Sequence, residues 1–166
     1  MKNFKEFIPE IKSTIDPERW EWTKTSNSWS VFLPAHDLTL LIYKSKKAGA
    51  AGDVWFVSFD VGGHYVKTGT GNSKIIFAWV IERIIEFLRV KKPNVVSYSA
   101  TKSEQSRVVA YKRMTRIVSR KIPDYTHVDI GAGKGKGHPF YIVRKNLLKQ
   151  DIDIEDELIT HNNMFA

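Results

Sequence analysis

A small glycine-rich segment, residues 68–72, lies directly before an apolar stretch that predicts a helix at residues 74–89. The first turn of a helix has free backbone N–H groups and the positive end of the helix dipole, and both favour anions. Glycine at positions 69 and 71 lets a phosphate approach the backbone closely. The segment therefore suits a phosphate-bearing ligand, although Gly-x-Gly is also common in ordinary strand-to-helix turns.

A second group of residues is suited to binding polyanions. A capping-box pattern at residues 101–104 predicts a helix that runs to about Lys121, with one apolar stripe and a cationic remainder. A later loop, residues 131–138, alternates glycine with lysine. Such cations can follow a phosphate backbone, or they can simply keep the protein soluble. The candidates for contact with nucleic acid are Arg107, Arg113, Arg116, Arg120, Lys134 and Lys136.

Several other chemistries lack the residues that they need. The chain has no cysteine, which excludes disulfides, thiolate metal sites and a cysteine nucleophile. Its five histidines share no ligand spacing, and neither an HExxH motif nor a GxSxG nucleophile elbow occurs. We therefore expect no metal site and no Ser-His-Asp catalysis.

The order of the predicted elements indicates what positions these groups. An amphipathic helix is predicted at residues 4–15, and aromatic alternation at residues 20–33 predicts two short strands. Residues 54–61 are apolar on both faces, which is typical of a strand in the middle of a sheet. Further strands are predicted at residues 38–43, 64–67, 95–100, 125–130 and 140–143, and an exposed loop at residues 45–52.

Charge divides the chain into two parts. The formal charge is +8, but residues 151–166 contain five acidic residues and no Lys or Arg, and removing this −5 leaves +13 on residues 1–150. We predict one domain at residues 1–150, followed by an acidic tail. The longest apolar run, residues 75–81, is far shorter than the roughly 20 residues that cross a bilayer. The N-terminus also lacks a secretory pattern, so we expect a cytoplasmic protein with no membrane partner.

In their order along the chain, these elements resemble the GNAT superfamily of N-acyltransferases. The shared order over about residues 54–143 is a long central strand, a glycine turn, a buried helix, a strand, a helix and a hairpin, preceded by antiparallel strands. The resemblance implies an α+β fold in one domain, with a mixed, mostly antiparallel sheet flanked by helices. It also implies that the two halves of the sheet splay near the end of the long strand, where substrate amine and thioester meet.

The resemblance also implies a cofactor site. In the family, the turn after the long strand binds the pyrophosphate of acetyl-coenzyme A at the N-terminus of the next helix. The matching residues are Gly69, Thr70, Gly71, Asn72 and Ser73, with Lys67 or Lys74 neutralising charge. Aligning the glycines places Val66 where the family has Arg or Gln.

Catalytic residues are implied in the same way. GNAT enzymes often have a tyrosine on the second of these helices that protonates the departing thiolate, and Tyr111 matches this position. A phenol with a pKa of about 10 can act as an acid at neutral pH. The family commonly has Asn and Ala seven and four residues earlier, where this chain has Glu104 and Arg107. A base for the amine is expected from Asp60, His64, Glu21 or Asp37, of which Asp60 and His64 lie near the end of the long strand.

We therefore predict transfer of an acyl group from acetyl-coenzyme A to an unknown amine. The alternative is a non-catalytic basic protein that binds nucleic acid or a host protein on the same scaffold. A weaker resemblance, carried by Tyr98-Ser99-Ala100, Ser106-Arg107 and Tyr111, is to small proteins of tailed bacteriophages. It implies that the protein is encoded by a phage and is located in the cytoplasm of the host.

Overall fold

A computed structural model describes residues 21–62, 64–65, 73–132 and 135–165, and for residues 64–65 it describes the backbone alone. The strands are β1 (Thr23–Lys24), β2 (Ser28–Leu33), β3 (Leu38–Lys47), β4 (Asp53–Val61), β5 (His64–Tyr65), β6 (Val95–Thr101), β7 (Tyr125–Val128) and β8 (Gly137–Arg144). The helices are α1 (Ser73–Lys91), α2 (Gln105–Lys121) and α3 (Ile154–Asn163). The helix predicted for residues 4–15 lies outside the described residues. No helix in the described part of the chain is long and apolar enough to cross a membrane.

Within the described residues, eight strands form one sheet in the order β1-β2-β3-β4-β6-β8-β7, and the short β5 pairs with β4. Neighbouring strands are antiparallel, except that β4 and β6 run parallel. A parallel pair needs a long crossover connection, which includes α1 here. The predicted α+β fold, with a mostly antiparallel mixed sheet flanked by helices, is confirmed.

The parallel pairing of β4 with β6 is short. It begins at Val54 opposite Val95 and ends at Phe56 opposite Ser97. Each strand continues beyond this point with its other neighbour, since β4 stays paired with β3 as far as Val61 and β6 stays paired with β8 to its last residue. The two halves of the sheet therefore separate after Phe56, and a gap opens between β4 and β6.

The main core lies on one face of the sheet, under α1 and α2. Eleven of the 19 residues of α1 are buried, so apolar side chains surround most of this helix, as its sequence predicts. The helix α2 packs through Tyr111, Met114 and Val118, while cations occupy much of its outer surface. Because side chains alternate along a strand, Phe59 of β4 faces this core and Ser58 faces the opposite side.

A smaller core lies on the opposite face, where α3 packs against the sheet. Leu158 of α3 is fully buried in a cluster that includes Val54, Val95 and Tyr141. The Asp153 carboxylate accepts a hydrogen bond from the backbone N–H of Asp156 at 3.1 Å, which caps the helix. The acidic segment, residues 151–166, thus contains a helix that is anchored to the body of the protein.

One buried polar pair belongs to this smaller core. The Tyr141 hydroxyl lies 2.9 Å from Nδ1 of His161, which is 2% exposed. Burial lowers the pKa of His161 and raises the pKa of Tyr141 to about 12. Both side chains are therefore neutral at pH 7, and the hydroxyl can donate to the imidazole nitrogen.

The exposed loop predicted at residues 45–52 is correct only in part, because Lys46, Lys47, Gly49 and Ala50 are exposed but Ala48 and Ala51 are not. The strand β3 continues to Lys47, and a single 3-10 turn, Gly49–Ala51, follows it. Ala48 and Ala51 are fully buried because they face the smaller core, against which α3 packs. Small residues that follow lysines are typical of an exposed loop. Ala48 and Ala51 are buried only because α3, which is distant in sequence, packs against them.

The capping box predicted at residues 101–104 is wrong. Thr101 remains in β6, opposite Gly137, and α2 begins at Gln105. The side chain of the N-cap residue, Glu104, makes no capping hydrogen bond and instead forms an ion pair with Arg107 at 2.5 Å. The strand pairing of Thr101 prevents it from being the N-cap.

Candidate active site

The gap between β4 and β6 is an open cleft with a volume of about 200 Å³. Its walls are residues 56–59 of β4 and residues 99–101 of β6. Arg107 and Tyr111 of α2 complete it, together with Lys136 and Gly137 at the start of β8. Because the walls are paired strands and a packed helix, the shape of this cleft is fixed by the sheet itself.

The facing edges of β4 and β6 present backbone groups to the cleft. Within the described residues, the two edges are not paired with each other beyond Phe56 and Ser97, and β5 pairs with β4 at Asp60 and Val61. Backbone N–H and C=O groups point to the two sides of a strand, so some of those in residues 57–59 and 98–101 face the gap. A ligand that contains amide groups can pair with such an edge as an added strand would.

Tyr111 lies at the wall of the cleft and is held by aromatic packing. Its ring lies 5.8 Å from the ring centres of Phe59 and Phe77, 5.6 Å from that of Tyr98 and 5.9 Å from that of Phe140. Tyr111 is 7% exposed. A phenol that is packed on several sides keeps one orientation, which is what a proton donor to a bound ligand requires.

A second tyrosine, Tyr98, is close to Tyr111 but has a different environment. Its hydroxyl forms a short hydrogen bond with Oγ1 of Thr115, and Thr115 donates its own proton to the Tyr111 carbonyl at 2.8 Å. The Tyr98 hydroxyl is therefore the donor to Thr115. Burial raises the pKa of Tyr98, so this hydroxyl stays protonated and forms a hydrogen bond within the core.

The opening of the cleft carries positive charge. Arg107 lines it and is 9% exposed, in an ion pair with Glu104, which precedes α2. The carbonyl of Lys136 accepts a hydrogen bond from the backbone N–H of Lys102 at 2.9 Å, which holds Lys136 beside the end of β6. The positive end of the α2 helix dipole adds to this field. The cleft is thus suited to a ligand that carries negative charge.

The base candidates whose side chains are described lie outside the residues that line the cleft. Asp60 is on the same face of β4 as Ser58, about 7 Å further along the strand. The backbone of His64 lies in β5, opposite Val61. Glu21 and Asp37 do not line the cleft. Asp60 is therefore the candidate that the strand places nearest to the cleft with a described side chain.

The predicted pyrophosphate residues are described in part. Ser73 is the first residue of α1 and is 8% exposed, and Lys74 beside it is exposed. Lys67, Gly69, Thr70, Gly71 and Asn72 lie outside the described residues. The helix begins directly after this segment, as a phosphate site at its N-terminus requires, and the site itself stays a prediction.

The predicted nucleic-acid residues separate into groups. Arg113, Arg116 and Arg120 are exposed on the outer surface of α2. Arg107 and Lys136 line the cleft, and Lys134 lies outside the described residues. No three His, Cys, Asp or Glu side chains in the described residues are grouped as a metal site would require.

Sequence reasoning missed the small polar residues of the cleft wall, Ser58, Ser99 and Thr101. A weak signal exists, since serine is unusual within interior strands whose other residues are apolar. The signal becomes meaningful only when β4 and β6 are known to be parallel neighbours that separate.

No family model matches the sequence, and no curated protein matches it. Among solved structures, the chain is similar to a dodecameric spermidine N-acetyltransferase from Vibrio cholerae in an intermediate state, with 11% identity, a TM-score of 0.44 and coverage of 92% of this chain and 81% of that one. It is also similar to an acetyltransferase of the GNAT family from Streptococcus pneumoniae, with 15% identity, a TM-score of 0.38 and coverage of 72% and 67%. For an aminoglycoside N(6')-acetyltransferase from Legionella pneumophila the identity is 12%, the TM-score 0.39 and the coverage 74% and 66%. These similarities are weak and say nothing about individual residues of the site.

Proposed function

We propose that the protein transfers an acetyl group from acetyl-coenzyme A to an amine in the cleft between β4 and β6. The observation that carries this proposal is the parallel strand pair that separates after Phe56, with Tyr111 at the wall of the gap. Within the described residues, this arrangement brings together two strand edges that no longer pair with each other, positive charge and an oriented phenol.

The residues present fit such a ligand. The arm of coenzyme A contains amide groups, which can pair with the backbone of β4 or β6 in the gap. Its phosphates carry negative charge, which is favoured by Lys136 in the cleft lining, beside the Arg107–Glu104 ion pair. The glycine segment before α1 is the proposed contact of the pyrophosphate, with Lys67 or Lys74 nearby.

The side chains of the cleft suggest how the transfer proceeds. Acetyl-coenzyme A supplies the acetyl group as a thioester when bound. The amine nitrogen forms a bond to the acetyl carbon, and the carbon–sulfur bond breaks. The Tyr111 hydroxyl donates its proton to the departing sulfur. The expected acceptor of the proton that the amine loses is Asp60 or His64, which follow the cleft wall in β4 and β5 and do not line the cleft as described. The acceptor amine, the bacteriophage origin and the host-cytoplasm location remain predictions.

Replacing Gly71 with valine tests the cofactor contact. We expect at least tenfold weaker binding of acetyl-coenzyme A, or about 1.4 kcal/mol, because a β-branched side chain keeps the phosphates from the backbone. Isothermal titration calorimetry measures this affinity, and circular dichroism checks that the variant is folded. Ala132→Val is the matched control, because Ala132 is exposed in the loop after β7.

Two outcomes would count against the proposal in different ways. Unchanged binding by folded Gly71→Val would reject the pyrophosphate assignment alone. Absence of saturable binding by the unmodified protein would reject acetyl-coenzyme A as the acyl donor.

A further inference from the structure

A second cavity, separate from the β4–β6 cleft, lies between α2 and the hairpin of β7 and β8. Its volume is about 120 Å³, and it shares no lining residue with the cleft. Lys112 and Arg116 border it from α2, and His127 and His138 border it from the hairpin. These four side chains come from separate parts of the chain and border one small space, and each of them can donate a hydrogen bond from N–H.

The cations at this cavity have no acidic partner in the described part of the chain. Lys112 and Arg116 are exposed and form no ion pair there, whereas other cations such as Lys44 and Lys121 are paired with carboxylates. The one carboxylate at the rim, Asp129, accepts a hydrogen bond from the backbone N–H of Gly131 at 2.8 Å. The cavity is thus electropositive, and an anion would neutralise it.

The outer surface of α2 extends this positive charge beyond the cavity. Residues 105–121 include six Lys or Arg and no Asp or Glu. Arg113 and Arg120 are exposed and likewise form no ion pair with described residues. From Lys112 to Arg120 the helix rises about 12 Å. Phosphates of one nucleic-acid strand follow each other at about 3.4 Å of helix axis, so several phosphates span this length.

From these observations we infer that α2 and the β7–β8 hairpin form a binding surface for the phosphodiester backbone of a nucleic acid. Lys112 and Arg116 bind a phosphate at the cavity, where His127 and His138 can donate hydrogen bonds. Arg113 and Arg120 contact neighbouring phosphates. A chain of phosphates fits better than a single phosphate, because the unpaired cations continue along the helix after the cavity ends.

Fluorescence anisotropy with a labelled single-stranded oligonucleotide of about 16 nucleotides tests this inference. Titrations at about 50 mM and about 200 mM salt give the affinity and its salt dependence, which reports the number of neutralised phosphates. The double variant Lys112→Gln/Arg116→Gln should bind about tenfold more weakly at the lower salt, and its salt slope should be smaller by about 1.4. Sequence should matter little, because phosphate contacts do not read bases.

The matched control is Lys145→Gln/Lys149→Gln, which removes the same charge from exposed positions after the other end of β8. The length of β8 separates Lys145 from His138 by roughly 20 Å. We expect a smaller loss of affinity in this control, although both variants have the same net charge. Equal losses in the two variants would overturn the site and leave only a general effect of charge.

Two competition experiments distinguish a nucleic-acid site from a small-anion site, and this site from the β4–β6 cleft. Inorganic phosphate at the concentration of the oligonucleotide phosphates should not displace the oligonucleotide, and displacement would show a small-anion site instead. Saturating acetyl-coenzyme A should leave oligonucleotide affinity unchanged, since the cavity and the cleft share no lining residue. Direct competition would overturn the inference of a separate site, whatever the outcome for acyl transfer.

Discussion

Tyr111→Phe is expected to lower the rate of acetyl transfer by about 10²- to 10⁴-fold, while acetyl-coenzyme A still binds. The substitution removes only the hydroxyl, and the ring keeps its packing against Phe59, Phe77 and Phe140. Binding should be preserved because the proton is needed only when the carbon–sulfur bond breaks. The thiol released from acetyl-coenzyme A, in the presence of a panel of primary amines, measures the rate.

Tyr98→Phe is the matched control for this prediction. It makes the same chemical change 5.6 Å away, as measured between the two ring centres. The lost hydroxyl is the one bound to Thr115, so we expect a loss of stability of about 1 kcal/mol and a nearly unchanged rate. An undiminished rate in Tyr111→Phe, or equal losses in both variants, would contradict the assigned role of Tyr111.

Leu158→Ala is expected to destabilise the protein by about 2–5 kcal/mol, a large share of the stability of a typical domain. Leu158 is fully buried in the core that joins α3 to Val54 and Val95. Removing its side chain leaves a cavity at the point where the acidic segment is anchored. Urea denaturation followed by circular dichroism gives the free energy of unfolding.

The neighbouring residue of the same helix provides the control for Leu158. Ile159 is 41% exposed, so Ile159→Ala should change the free energy of unfolding by no more than about 0.5 kcal/mol. Both substitutions replace a branched aliphatic residue with alanine on α3. Similar effects of the two substitutions would show that α3 is not anchored through Leu158.

Much of the fold could be predicted because local periodicity reports burial. Apolar residues on both faces of residues 54–61 predicted that β4 is a central strand, and Trp55, Val57 and Phe59 all face the main core. The apolar surface of α1 predicted a helix covered on several sides, and Trp79 and Leu88 are indeed buried. In each case the signal lies within one element and needs no distant partner.

The predictions that failed depend on contacts between distant parts of the chain. Ala48 and Ala51 are interior because of α3, about a hundred residues later, where the Glu157 carboxylate accepts a hydrogen bond from the N–H of Ala50 at 3.3 Å. Thr101 could not be a helix cap because β8 pairs with it. Neither the contact with α3 nor the pairing with β8 can be predicted from the local sequence.

The candidate site was predictable only in outline. Tyr111 could be selected from its place on the second helix, and it lines the cleft. Ser58 and Ser99 could not be selected from the sequence. They come together only because of the register of β4 with β6 and the point where that pairing ends. Arg107 was expected on the cationic surface of α2, yet its position one turn before Tyr111 places it in the cleft wall.

An amide NMR titration with acetyl-coenzyme A tests whether this ligand binds between β4 and β6, because it reports each backbone group separately. We predict that the largest saturable shifts occur at residues 57–59 of β4 and 98–101 of β6, whose edges face the gap. Amides of α3 and of the cavity around His127 should change little. Shifts that leave both edges unaffected, or that cluster outside the cleft, would contradict the account.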